Sequence, residues 1–447
     1  MHLTFTGHSI ANAVKQLQQR LGQATLGDSP ARFSIEIEPV DATVFLAALG
    51  DRHLPHMVWG ERHGPGQLIA MAGQALPVPN RQDEADQLRA FLGPASLGLR
   101  AYASFPFASD ASSAERRWLL PRVECNGREI TLNVFPSDDK QVVMMQLGDM
   151  AACLAASADS DDHSSEADAG ALPTIKDTTH WPDRNHWHGK VIEALDLIEG
   201  KALEKIVLAR RTDLRLSAPV PALDLFQRLK SATPRCFHFY CRFASRETFF
   251  GASPERLFRR RGRTFETDVL AGTRPRGRTA SEDAALAAEL LASDKDGREH
   301  EVVRTAILQD LHQLSRQVES GAPAEVLQLA SKQHIYSTIR AELASAVGDS
   351  TLLSRLHPTP AVGGYPTGNA LAEIRRLEPF PREWYAGPIG WIAADGAEFA
   401  VGIRSAIARG DVLALFAGAG IVEGSEPGRE WDEVENKISD LLMLLQP

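Results

Sequence analysis

The chain has 447 residues, 43% of them hydrophobic and 24% charged, which is long enough for a large core and ordinary for a soluble globular protein. Its net charge of -10 argues against nucleic acid or an anionic membrane surface as a partner, and an anionic ligand would have to be met by locally placed arginines or a metal. The four cysteines, Cys125, Cys153, Cys236 and Cys241, form no C-x-x-C pair and are expected to be reduced.

The N-terminus MHLTFTGHSI lacks the charge and apolar core of a signal peptide, and no apolar run approaches a membrane span, so a cytoplasmic protein is expected. Residues 1–154 read as a mixed α and β portion. Phe33 to Val40 alternates, Met57 to Trp59 and Leu68 to Ala72 are placed to pair around Gly64-Pro65-Gly66, and Asp83 to Leu92 has a helical pattern. Asn126-Gly127 predicts a hairpin between Trp118 to Val123 and Glu129 to Phe135. His53, His56 and His63 have no metal-ligand spacing and read as surface histidines. Residues 155–173, with ADSDDHSSEADAGAL, have no helix or strand period and read as a flexible acidic linker to a second portion, 174–447.

That portion opens with a helix pattern (Trp187, Val191, Ile192, Leu195, Ile198) stopped by Gly200. In KIVLARRTDLRL, Lys205, Val207 and Ala209 share one strand face. A lysine there either snorkels to water or, if buried, is a candidate base, because desolvation lowers its pKa. FFGASPERLF reads as strand, tight turn, strand with Glu255 at the turn, and TDVLAGTRPRG as a strand ending at Gly272 and Thr273, whose N–H and hydroxyl groups can hold a carboxylate. A helix starting near Asp294 carries Glu299 on the face of its core residues Val303, Ala306 and Ile307. A carboxylate there needs a partner, either an arginine such as Arg298 or Arg304 or a divalent cation.

HPTPAVGGYP, from His357 to Pro366, is a loop before a helix over Asn369 to Leu377. Pro388 to Ala394, Glu398 to Ala408 and the strand opening at Val412 predict an antiparallel meander, with Tyr385 just upstream and Arg404 inside an apolar strand where a guanidinium needs an anion. The last strand is expected to end at Gly418-Ala419-Gly420. The final helix has the stripe Trp431, Val434, Ile438, Leu441 and Leu445, and beside it lie Glu430, Glu433 and Lys437. Together these residues suit acid–base chemistry on a small polyanion held by Mg²⁺, without a nucleophile elbow, a P-loop or a GxGxxG cradle.

FAGAGIV (Phe416 to Val422) followed by EWDEVENK (Glu430 to Lys437) resembles the C-terminal signature of the chorismate-utilising enzymes: isochorismate, salicylate, anthranilate and aminodeoxychorismate synthases. The likeness spans roughly Trp187 to the C-terminus. It implies one large α/β (α+β) body like anthranilate synthase component I, with two packed, mainly antiparallel sheets surrounded by helices. It implies chorismate as substrate, Lys205 as general base and Glu255 as general acid. Glu299, Glu430 and Glu433 would hold Mg²⁺. Gly272, Thr273, Arg404, Gly418 and Gly420 would bind carboxylates, and His357, Tyr385 and Lys437 complete the substrate-binding set. Lys205 in place of glutamine points away from anthranilate synthases, and Ala271 in place of lysine away from aminodeoxychorismate synthases. HPTPAVGGYP resembles the isochorismate synthase form, with product use in menaquinone or siderophore biosynthesis. A salicylate synthase that also loses pyruvate and a non-catalytic chorismate sensor remain the alternatives. No glutaminase subunit is expected, and the chain is expected to be a monomer or homodimer.

Overall fold

The alternating stretches of the sequence form strands, and in the computed structural model every pairing among the described residues is antiparallel. The structure describes residues 2–62, 68–76, 78, 83–94, 97–108, 115–160, 172–319, 321 and 323–446. Their strands form one sheet of twelve and one of nine, and helices cover them. Residues 1–154 supply strands to both sheets: His56–Gly60 pairs with Phe237–Ala244 in the larger, and Arg100–Ser104 with Pro388–Ala393 in the smaller. The hairpin around Asn126-Gly127 forms between Pro121–Cys125 and Glu129–Val134. His56–Gly60 pairs with Leu68–Gln74, while the Gly64-Pro65-Gly66 turn lies outside the described residues.

The first portion is more helical than its sequence pattern predicts. His2–Gln23 and Lys140–Ser160 are long helices packed on each other, so the stretch from Ala155 to Ser160 is helix rather than linker. Residues 161–171 lie outside the described residues. Among the histidines, His56 is not on the surface: its ring is buried and burial pushes its pKa down to about 4, while His53 faces Asp149 at 3.2 Å and His63 lies outside the described residues.

The predicted meander is divided between the two sheets. Pro388–Ala393 and Gly396–Val401 pair in the smaller sheet, whereas Ser405–Arg409 and Val412–Ile421 pair in the larger. The chain crosses between sheets at residues 402–404. Beside it, Glu247–Ser253 belongs to the larger sheet and Arg256–Arg261 to the smaller, so the chain crosses again at Pro254-Glu255. Hydrogen bonds from Ala252 N to Arg404 O (3.2 Å) and from Val401 N to Glu255 O (3.1 Å) hold the two crossings side by side. This corrects the reading of Arg404 as a residue inside a strand, for it sits at the crossing with φ at 49°. Aromatic rings fill the space behind the crossings: Phe249 lies 6.1 Å from Trp384 and Phe399 5.4 Å from Phe258. Each such fully buried side chain contributes about 1.5–3 kcal/mol of apolar burial.

Two helices close the site. Asp294–Leu314 is capped by the Ser293 hydroxyl, which accepts from Asp296 N, and it buries Val303, Ala306, Ile307, Leu311 and Leu314. Pro427–Leu442 has proline in its first turn and buries Trp431, Val434, Ile438 and Leu441, as the stripe predicts. Among the described residues no helix is long and apolar enough to cross a membrane.

Candidate active site

Both sheet crossings open onto one cavity of about 90 Å³. It is lined by Glu255, Gly272, Thr273, Glu299, Tyr385, Arg404, Gly418, Glu433 and Lys437, nine of the residues singled out in the sequence. A neighbouring cavity of about 650 Å³ shares Thr273 and Glu433 with it. Together the two reach the size of small-ligand clefts, about 300–1,000 Å³. Lys205 and Glu430 stand just behind the lining, each paired with a carboxylate or ammonium of the site.

The strand Val412–Ile421 does not stop at its glycines but runs through them, with Gly418 opposite Ala209 and Gly420 opposite Val207. Their role is close approach. A Cβ on Gly420 would collide with Glu299 Oε1 and lie 3.0 Å from Lys205 Cε, and one on Gly418 would meet the Tyr385 hydroxyl at 3.2 Å. Gly420→Ala is therefore expected to force the Lys205–Glu299 pair apart, costing about 1–3 kcal/mol of stability as overpacking does, together with turnover. Parental melting temperature and parental kcat in this variant would contradict the packing.

Three glutamates face three lysines. Lys205 is fully buried, and its Nζ lies 2.9 Å from Glu299 Oε1. The partner of Glu299 is thus neither Arg298 nor Arg304. Lys295 Nζ lies 2.6 Å from Glu430 Oε1, and Lys437 Nζ lies 2.7 Å from Glu433 Oε1 while donating to Gly418 O at 2.9 Å. Burial alone would raise the pKa of Glu299, but the charges of Lys205 and Lys295 bring it below the ordinary value. Glu430 is raised, first by burial and then by the charge of Glu433.

Among the described residues no three ligating side chains already converge as a metal cluster. The donors nevertheless fit a hard cation. Glu430 is buried, Glu430 and Glu433 repel each other, and the Lys295 ammonium feels all three glutamates at once. Two carboxylates held side by side, so that Glu433 raises the pKa of Glu430, mark where a further cation is favoured.

Glu255 is 4% exposed, and burial, followed by the charge of Asp268, pushes its carboxyl up to about 8 against the opposing charges of Lys205, Lys437 and Arg62. At neutral pH it carries a proton. Asp268 is fixed by Arg62 at 2.6 Å, by Arg256 N at 3.1 Å and by the Tyr336 hydroxyl at 3.1 Å.

His334 was not singled out in the sequence. It lies on Lys332–Leu343, whose pairing with Thr264–Pro275 is interrupted by a bulge at Gly272-Thr273, where Gly272 has φ at 66°. The bulge turns Gly272 and Thr273 toward His334. Its Nδ1 is 3.0 Å from Gly272 O, and its Nε2 is 2.6 Å from an Arg404 Nη. Because the carbonyl can only accept and the guanidinium only donate, Nδ1 carries the proton and Nε2 accepts. Burial and the Arg404 charge hold the ring pKa well below its ordinary value, consistent with that neutral form. Only the strand register, a long-range property, reveals this pairing.

His357 is placed elsewhere. It follows the helix Asp349–Leu356, lines a separate cavity with Phe107 and Arg116, and its Nε2 is 3.0 Å from Phe107 O. It does not line the site with Arg404 and Glu255, because the chain reaches that cavity only further on, at Ala361 and Val362.

The Glu255 carboxyl and the Arg404 guanidinium thus meet at the sheet crossings of a two-sheet body. Residues 15–446 match the family described as "Chorismate binding enzyme", and the chain belongs to it. Isochorismate synthase MenF of Escherichia coli (strain K12) is 34% identical over 453 residues, covering 98% of this chain and 99% of its own length. The solved structure of MenF, the menaquinone-specific isochorismate synthase from Escherichia coli, superimposes with a TM-score of 0.85 at 32% identity, covering 98% of this chain and 100% of that one. The salicylate biosynthesis isochorismate synthase of Pseudomonas aeruginosa is 41% identical over 58% of this chain and 54% of its own. Anthranilate synthase component I from Streptococcus pneumoniae shares the fold, with a TM-score of 0.65 at 20% identity.

Proposed function

We propose that the protein is an isochorismate synthase that interconverts chorismate and isochorismate. The observation that carries this reading is a buried carboxyl, Glu255, lining the cavity, with a fully buried lysine, Lys205, just behind its wall. Arg404, held by His334, and the Gly272-Thr273 bulge serve as anchors for the substrate carboxylates. In its uncharged form Lys205 takes a proton from water as its oxygen bonds to C2, the two ring double bonds shift, and the C4 hydroxyl leaves as water with the proton of Glu255; return of the Lys205 proton to Glu255 completes the cycle. One water enters and one departs, so substrate and product are isomers.

Glu299, Glu430 and Glu433 would hold a divalent cation of the Mg²⁺ type, which supplies charge neutralisation for a bound carboxylate. Lys437, bonded to Glu433 and to Gly418 O, orients that carboxylate beside the glycine strand.

The test is incubation of the purified chain with chorismate and Mg²⁺, with chromatographic separation and a parallel pyruvate assay. The expected product has unchanged mass and shifted retention, forms without pyruvate, and disappears when chelator removes the metal. Salicylate with pyruvate would move the protein to the salicylate branch, and turnover that survives chelation would remove the three glutamates from a metal role.

A further inference from the structure

The strand Lys205–Leu216 has a gap along its outer edge. Gly364–Tyr365 pairs with Lys205 and Ile206, and Ile175–Trp181 pairs with Arg211 to Leu216, so among the described residues Val207 to Arg210 have no strand beside them there. Buried backbone groups still need partners. Val207 N donates to Gly363 O at 2.8 Å. Two more groups are met by side chains: Arg382 Nη2 donates to Val207 O at 2.7 Å, and Ala209 N donates to Glu378 Oε1 at 2.7 Å. The two side chains also bind each other, with Arg382 Nε 2.8 Å from Glu378 Oε2, and both are nearly fully buried. Nη1 of the same guanidinium donates to Val362 O at 2.6 Å, and the ring of Phe107 lies 4.2 Å from its centre.

Val207 and Val362 both line the cavity, and they belong to neighbouring segments, since Val207 N is bonded to Gly363 O. One planar cation thus ties together the strand that carries Lys205 and the loop beside it. Only a fork of donors can serve two carbonyls and a carboxylate in fixed directions; a lysine is a point charge on a flexible stem.

We propose that Arg382, braced by Glu378, is a positioning residue that substitutes for the missing strand and sets the spacing between the Val207 and Val362 segments, and through it the placement of Lys205. The substrate anchors Arg404, His334 and Thr273 lie on other elements, so the clamp acts on turnover more than on binding. The kinetic arm of this inference rests on the proposed isochorismate synthase activity.

Three variants test it: Arg382→Lys, Glu378→Gln, and the double variant Glu378→Leu with Arg382→Met. Arg382→Lys is expected to lower kcat about 100-fold, the scale of a small misplacement of a catalytic group, with KM for chorismate little changed. The double variant leaves no uncompensated buried charge but frees the Val207 and Val362 carbonyls and the Ala209 amide, so its melting temperature should stay below the parent while kcat stays depressed by more than the folded fraction accounts for. Recovery of kcat along with stability, or a fall in kcat that only follows the folded fraction, would overturn the proposal. A substrate-free arm measures hydrogen exchange at the Ala209 amide. It should quicken in the double variant, and an unchanged rate counts against the clamp. If the parent fails to convert chorismate, the proposed function falls and the exchange arm alone decides the clamp.

Discussion

Replacing Lys205 by alanine is expected to lower chorismate turnover by about 10²–10⁴-fold, the range contributed by a positioned general base. Chorismate binding should largely survive, because Arg404, His334 and the Gly272-Thr273 bulge are carried by other elements. The physical argument is placement: Lys205 is fully buried on the strand facing the cavity, and its Nζ is held 2.9 Å from Glu299. The substitution also leaves Glu299 short of a partner, and breaking a buried pair typically costs about 3–5 kcal/mol. Lys205→Met combined with Glu299→Gln removes both charges and separates lost chemistry from lost stability. Kinetics by product chromatography, calorimetric titration with chorismate and thermal unfolding on all three proteins make the comparison. A folded Lys205→Ala variant with parental kcat would remove the lysine from the reaction.

Glu255→Gln should be nearly as damaging, because an amide keeps the shape of the side chain but has no proton to give the departing hydroxyl. The same carboxyl sets a pH dependence. Its pKa is pushed up to about 8 by burial and by the charge of Asp268, so it is protonated and competent below that value and loses its proton above it. The ratio kcat/KM is therefore expected to fall as pH rises through about 8. Lys332 titrates in the same range, lowered to about 8 by burial, with Asp440 opposing the shift. Lys332→Met is the control: the limb should persist in it if Glu255 is responsible. A limb that vanishes with Lys332, or a Glu255→Gln variant with full turnover, would transfer the acid role elsewhere.

Much of the site was legible because its signals are local. The spacing of Glu430, Glu433 and Lys437 against the Trp431, Val434 and Ile438 stripe determines which face of the last helix they occupy, and the helix presents them that way. The position of Glu299 among core residues likewise announced a buried carboxylate in need of a partner. The absence of bulk at Gly418 and Gly420 signalled close approach, although the approaching groups turned out to be the Tyr385 hydroxyl at one and Glu299 with Lys205 at the other.

Local pairings such as Pro121–Cys125 with Glu129–Val134 and His56–Gly60 with Leu68–Gln74 were legible, whereas pairings between strands distant in the chain, and the sheet each strand joins, were not. The stretch from Glu398 to Ala408 reads as one apolar strand, and a strand pattern reports that a residue is buried but not which sheet it joins. Hence the crossing at Arg404 read as strand interior. His334 had no local mark, since its partners Gly272 and Arg404 come from separate elements. His357 lay in a loop that resembled a binding loop, yet the chain enters the cavity a few residues later.

The sequence by itself determined the elements, their buried faces and the presence of an acidic, lysine-bearing, glycine-lined site, because helix and strand periodicity are properties of neighbours along the chain. Only the tertiary structure decided that each site glutamate has its own lysine, that two adjacent strands bend from one sheet into the other to bring Glu255 and Arg404 together, and that an arginine–glutamate pair fills a gap in the sheet. Those depend on register and on contacts between distant residues, where a one-residue slip exchanges the two faces of a strand.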